Sequence, residues 1–157
     1  MQIRLICIGT LKENRLAPML NEYLQRVKRY NPAEITEIAE KKEWKKMDRE
    51  TRKKVEGEMF LSVIKPGDIT IRLDERGKTY NSAELAVQVQ KWMKSSPKTL
   101  NLLVGGPYGF SAELNQAVPS AISLSKLTFT HDMVRLFILE QMYRAFTIQH
   151  GEPYHHE

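Results

Sequence analysis

An α/β fold with a mainly parallel sheet and helices on both faces is predicted by three features of this 157-residue sequence. Strand-like and helix-like segments alternate five times, the pattern of successive βα units. The first strand-like segment, QIRLICIG at 2–9, is rich in Ile and Leu on both faces, as a strand covered on both sides must be. No internal repeat, low-complexity tract or linker divides the chain, so one domain over residues 1–157 is expected.

Each element has its own signal. Leu16, Met19, Leu20, Tyr23, Leu24 and Val27 recur at helical spacing between Arg15 and Tyr30. EITEIA at 34–39 reads as a second strand. The charged run EKKEWKKMDRETRKK at 40–54 begins as a loop and passes into a helix that reaches Ile64. Pro66-Gly67-Asp68 is a turn, and ITIRLD at 69–74 a third strand. Ser82 is placed to cap a helix running to about Lys94. LNLLVG at 100–105 is a fourth strand. Ser111 caps a short helix that Pro119 follows, and ISLSKLTF at 122–129 reads as a fifth strand. A long helix from His131 to Gln149 leads to the tail GEPYHHE.

Composition narrows the function classes. The chain carries 24 Lys and Arg against 19 Asp and Glu, a net charge of +5 that favours an acidic partner such as RNA. No stretch approaches the ~20 apolar residues of a membrane span, and MQIRLICIGT is too short an apolar run for a signal peptide, so a cytoplasmic protein with no membrane segment is expected. Cys7, the single cysteine, sits in the first strand and reads as a buried thiol. No metal-ligand spacing, catalytic triad or paired carboxylates stand out, and no metal is expected.

Ligands in parallel sheets bind beyond the carboxyl ends of the strands, which directs attention to the segments after Leu73, Val104 and Leu127. The loop GGPYG at 105–109 follows a strand and precedes a helix, a setting for close backbone approach to a ligand. Its spacing matches neither a dinucleotide fingerprint nor a phosphate loop, and on this loop alone a tight turn is favoured. His131 opens a long helix and stands i, i+4 from Arg135, so both can face one ligand; capping or packing is its plainer reading. The apolar helix 131–149 fits core or subunit interface, and Glu140 and Arg144 can pair with each other. Tyr154, His155 and His156 can stack on a base and touch phosphate, although taken alone such a tail most often means a frayed, disordered terminus. KKEWKK at 41–46 is an RNA-contacting loop or, more commonly, a solvated one.

Together, LLVGGPYG, ISLSKLTF, HDMVRLFILEQMYRAF and the terminal PYHHE resemble the RlmH type of SPOUT methyltransferase, over the whole chain from IRLICIGTLKE through LDERGK at 73–78 to the last residue. The resemblance implies methylation of N3 of a pseudouridine in 23S ribosomal RNA of the assembled ribosome, with S-adenosylmethionine as donor. It implies a C-terminal trefoil knot, over about residues 69–157, and a homodimer whose RNA site is built across the interface. Carried over residue by residue, the donor would be held by Leu73, Gly105, Leu124, Ser125, Lys126, Leu127, Thr128 and Phe129, with Gly105 and Gly106 leaving the backbone open to it. His131, Arg135, Tyr154 and His155 are the candidates for the chemistry. Two positions depart from the family pattern: Thr130 stands where Pro is common before the helix-opening His, and His156 where Arg or Lys is common. The rivals are a methyltransferase of the same fold acting on another RNA, a ribosome-associated binding protein without catalysis, and a small α/β hydrolase. The last is disfavoured by the missing phosphate loop and carboxylate pair.

Overall fold

The computed structural model describes residues 1–11 and 15–156. Lys12 and Glu13 of the opening motif and the terminal Glu157 lie outside the described residues. The elements in chain order are β1 (Gln2–Ile8), α1 (Ala17–Lys28), β2 (Ala33–Ile38), a 3₁₀ turn (Lys42–Lys46), α2 (Arg49–Val63), β3 (Ile69–Thr79), α3 (Ser82–Lys94), β4 (Thr99–Val104), α4 (Ala112–Ala117), β5 (Ala121–Ser123) and α5 (His131–Gln149). The five strands form one sheet in the order β2-β1-β4-β3-β5, and all four pairings are parallel.

The alternation of side chains along β1 explains the two layers. Ile3, Leu5 and Cys7 point into one core with Leu20 and Val27 of α1, Leu85 and Val89 of α3, and Ile138, Met142 and Phe146 of α5. Ile6 and Ile8 point the other way, onto Phe60 of α2, Leu114 of α4 and Trp44. A strand apolar from Leu5 to Ile8, with Ile3 before it, is thereby buried on both faces, as parallel sheets require. Helix α5 is apolar on several sides because it packs within this first core, and Arg144 bonds Glu140 one turn back, Nε to Oε1 at 3.0 Å.

Two boundaries differ from the sequence expectation, and both differences shape one end of the sheet. β5 stops at Ser123 and does not continue to Phe129. The Ser123 hydroxyl donates to the Ser125 carbonyl at 2.9 Å, and Ser125 Oγ accepts from the Leu127 N–H at 3.0 Å. These local side-chain bonds give the backbone an alternative to the ladder, so an alternating pattern that reads as a strand becomes a loop. β3, in turn, runs past Asp74 to Thr79. Ile122 of β5 pairs first with Leu73 and again with Lys78, so residues 74–77 bulge out between the two registers. A third, smaller difference is that Asn81, not Ser82, caps α3: its side chain accepts from Glu84 N–H while Glu84 accepts from Asn81 N–H, a capping box.

Candidate functional site

A cavity of about 610 Å³ opens beyond the carboxyl ends of β3, β4 and β5. Its walls come from the bulge after Leu73, the glycine loop after Val104, the loop after Ser123, and the first turn of α5. Arg49 and Lys53 of α2 stand at its edge.

Each wall is fixed by local chemistry. In the bulge, Asp74 Oδ1 accepts from the Arg76 N–H at 3.0 Å, and Asp74 Oδ2 meets Arg72 at 3.0 Å. Arg72 is itself buried, its Nε donating to the Val118 carbonyl at 2.7 Å and its guanidinium lying 5.5 Å from the Phe110 ring centre. The Asp74 carboxylate, part of the cavity lining, is thus held by Arg72 and Arg76. The glycine loop turns back on itself: Gly109 N–H donates to the Gly106 carbonyl at 3.2 Å, and Gly109 has φ +78°, which only a residue without a β-carbon adopts readily. Tyr108, at its tip and 40% exposed, lies against Arg49 and Arg52, with 5.5 and 5.6 Å from guanidinium to ring centre.

Packing gives the two adjacent glycines a steric reason of its own. A β-carbon on Gly105 would fall 3.2 Å from the Phe110 ring, and one on Gly106 would overlap the Glu56 carboxylate. The Gly106 direction leads onto Glu56 behind the loop, and the Gly105 direction meets Phe110, which itself lines the cavity. Gly106 is demanded by the Glu56 carboxylate and Gly105 is favoured by close contact with Phe110, while both residues line the cavity. Glu56 is buried, bonded by Arg52 Nε at 2.7 Å, while its Oε2 has no hydrogen-bond partner. Burial pushes its carboxyl above the ordinary range, and Arg52 opposes that shift.

Leu73, Gly105, Leu124, Ser125, Leu127, Thr128 and Phe129 all line the cavity, and so does His131. Lys126 is exposed and is not part of the lining. Thr130, the first departure from the family pattern, caps α5, its Oγ1 accepting from Met133 N–H at 3.4 Å. Helix α5 therefore starts where a Pro would otherwise start it.

Arg135 goes elsewhere. It is 1% exposed, and its guanidinium donates to the Ile8 carbonyl (3.1 Å), the Gly9 carbonyl (2.8 Å) and the Glu37 carboxylate (2.8 Å). It does not line the cavity with His131, because the end of β1 offers acceptors that would otherwise be buried without donors. The tail also stands apart from the cavity. Tyr154 packs edge-on against Tyr143, its hydroxyl donating to Glu140 Oε1 at 3.1 Å and lying 3.1 Å from the Tyr23 hydroxyl. Burial and these neighbours push its phenol pKa well up. His155 Nδ1 is 3.3 Å from Arg144. Glu140 lies nine residues along α5 from His131, about 14 Å of helix rise. Within the chain the tail and the cavity are separate places.

Asp74, Glu75, Arg76, Arg49, Lys53 and Tyr108 belong to the cavity wall and were not singled out as site residues from sequence. The available signal is LDERGK at 73–78, a strand end running into charged residues and a glycine.

The sequence profile described as "Predicted SPOUT methyltransferase" matches residues 1–155. Three relatives called "Ribosomal RNA large subunit methyltransferase H" align over nearly all of both chains. Those from Flavobacterium psychrophilum and Parabacteroides distasonis are 45% and 43% identical over 157 residues, covering 100% of each chain. That from Christiangramia forsetii is 44% identical over 156 residues, covering 99% of each. Among solved structures, a probable methylase family protein from Haemophilus influenzae Rd KW20 superimposes with a TM-score of 0.52 at 13% identity, over 95% of this chain and 66% of that one, a likeness of fold.

Proposed function

The chain belongs to the SPOUT methyltransferase family, and on that premise we propose that it transfers a methyl group from S-adenosylmethionine to large-subunit ribosomal RNA, at N3 of a pseudouridine in the 23S RNA of the assembled ribosome. The observation that carries this reading is the convergence on one cavity of Leu73, Gly105 and the 124–129 loop, the segments the resemblance assigns to the donor.

The cavity suits such a donor. Its volume lies within the range of about 300–1,000 Å³ typical of small-molecule sites. Leu73, Val104, Ile122, Leu124 and Phe129 offer apolar surface to a purine and its ribose, and the turned loops offer main-chain donors and acceptors. When bound, S-adenosylmethionine supplies an electrophilic methyl carbon and keeps the C–S bonding pair on sulfur. The remaining work is to align N3 behind that carbon and remove its proton. His131, on the cavity wall, is the proposed base or hydrogen-bond partner. Arg135 supports it indirectly, by fixing the first turn of α5 to the end of β1.

Tyr154 and His155 enter this scheme from a second protomer. Their separation from the cavity within one chain is the reason for proposing a homodimer in which the tail of one copy completes the site of the other, with Tyr154 orienting the base and His155 stabilising the developing oxyanion. The same reading takes 1–157 as one domain, 69–157 as its knotted part, the cytoplasm as its location and no metal as its requirement.

The test is methyl transfer from labelled S-adenosylmethionine to ribosomes lacking the modification, read by nucleoside mass spectrometry. A methylated pseudouridine in large-subunit RNA is expected. Donor binding without transfer would move the substrate to another RNA; neither binding nor transfer would favour a non-catalytic ribosome-associated protein.

A further inference from the structure

The proposed chemistry leaves one conspicuous stretch unused. Residues 40–54 carry eight Lys or Arg against four Asp or Glu, so this short stretch holds four of the chain's five net positive charges. A charge run of this kind is usually a solvated loop, but here the fold holds it in place. Trp44 is 1% exposed and packs in the second core with Ile8, Ile38 and Phe60. Its burial removes it as a stacking surface for bases and makes it the anchor of the 3₁₀ turn, from which Lys41, Lys42, Lys45 and Lys46 stand exposed.

The acids in this stretch are largely committed. Asp48 caps α2, accepting from Thr51 N–H at 3.0 Å; Glu40 meets the buried Arg52 at 3.4 Å; Glu50 holds Lys53 at 2.9 Å. Among the described residues Lys41, Lys42, Lys45, Lys46, Arg49 and Lys54 form no ion pair, although Glu43 lies among them. Like charges gathered on an anchored surface without internal partners repel one another, and a polyanion relieves that repulsion. Arg49 joins this ridge to the cavity: it lines the wall and lies over Tyr108 of the glycine loop.

We infer that the ridge from Lys41 to Arg49 is a docking track for the sugar-phosphate backbone of the RNA, leading to the mouth of the cavity. The inference rests on the methyltransferase reading for its choice of polyanion. Lysines suit the task because they meet phosphate as point charges and position a strand without reading its sequence. The track would hold RNA flanking the target nucleotide and leave base selection to the cavity.

The experiment compares three full-length proteins: wild type, K41Q/K42Q/K45Q/K46Q, and the charge-matched control K28Q/K91Q/K94Q/K98Q. The control lysines are exposed and lie near the edge where β2 and β4 begin, opposite the cavity. Affinity for assembled ribosomes lacking the modification is measured between about 50 and 200 mM salt, with S-adenosylmethionine binding measured alongside. The track variant should keep donor binding and thermal stability, bind ribosomes roughly 10- to 100-fold more weakly, and lose about 0.7–0.9 from the slope of log affinity against log salt for each phosphate contact removed. The control should stay close to wild type, and K45Q/K46Q should show part of the loss. Unchanged affinity and slope in the track variant, or an equal loss in the control, would overturn the proposal. Should wild type neither bind donor nor transfer methyl while the track variant alone loses ribosome affinity, the enzymatic reading fails and the track stands.

Discussion

The carboxylate of Glu56 fills the space that a β-carbon on Gly106 would need. The relationship is steric, because Gly106 is not in the positive-φ region and an alanine there is conformationally allowed. Arg52 holds Glu56 at 2.7 Å inside the protein, so the carboxylate cannot swing aside without losing its partner. Gly106→Ala is therefore expected to cost about 1–3 kcal/mol, as overpacking does. Introduced into a Glu56→Ala background, the same substitution should cost much less. Thermal or urea unfolding of the four proteins of this cycle measures the coupling, and strict additivity would refute it.

The same carboxylate should oppose ordinary acid denaturation. Burial raises its folded pKa above the ordinary 4.5, so between those two values the native state binds more protons than the unfolded chain. Its contribution to stability then falls as pH rises through that window, and the charged form carries the full burial penalty above it. Glu56→Gln does not titrate. The melting temperature of wild type relative to Glu56→Gln should improve as pH is lowered from neutral towards 4.5, and a difference independent of pH would contradict this account.

Arg135 is expected to be a stability residue before it is anything else. Arg135→Met removes the guanidinium donors to the Ile8 and Gly9 carbonyls and leaves Glu37 with the Leu11 N–H but no charged partner, at a cost of at least about 2 kcal/mol. In a domain of this size that lowers the melting temperature by roughly 4–8 °C. Arg135→Lys should recover only part of the loss, because one ammonium cannot reproduce the forked contacts. Calorimetry decides, and a fully stable Lys variant would show the fork to be dispensable.

Cys7 should be chemically silent in the folded protein. Its thiol is wholly buried, and burial pushes its pKa up to about 12 despite the nearby Arg135. Iodoacetamide at about pH 8 should leave native protein unlabelled and add one label per chain in urea. Rapid labelling of the native state would show that β1 opens.

His155→Ala is expected to spare donor binding and lower turnover about 10²–10³-fold, the scale of a lost oxyanion donor. Titration calorimetry with S-adenosylmethionine and single-turnover methyl transfer separate the two quantities. Equal losses in both would place His155 in donor binding instead. A mixture of His155→Ala and a cavity-defective Gly105→Trp protein should recover part of the activity if sites are shared between protomers, because one site of each mixed dimer pairs an intact cavity with an intact tail.

The sequence determined the element order, the two-sided burial of β1 and the end of the sheet where the site lies. Periodicity and capping are local, and Ser111 and the start of α5 at His131 stand where their own neighbours put them. It also carried the segments that form the cavity, because seven of the eight residues assigned to the donor sit on its wall. The tertiary structure decided what long-range packing controls. The 74–77 bulge exists because Ile122 pairs with β3 twice, and the Gly105-Gly106 pair answers to Phe110 and Glu56, the latter about fifty residues away in the chain. Arg135 shares a helix turn with His131, yet it is drawn to the end of β1 by carbonyls that need donors. Trp44, read among lysines, looks like a stacking residue until the second core claims it. In each case a side chain's nearest neighbours in space are distant in sequence, and the cost of burying unpaired polar groups or leaving apolar surface in water settles which of them it meets.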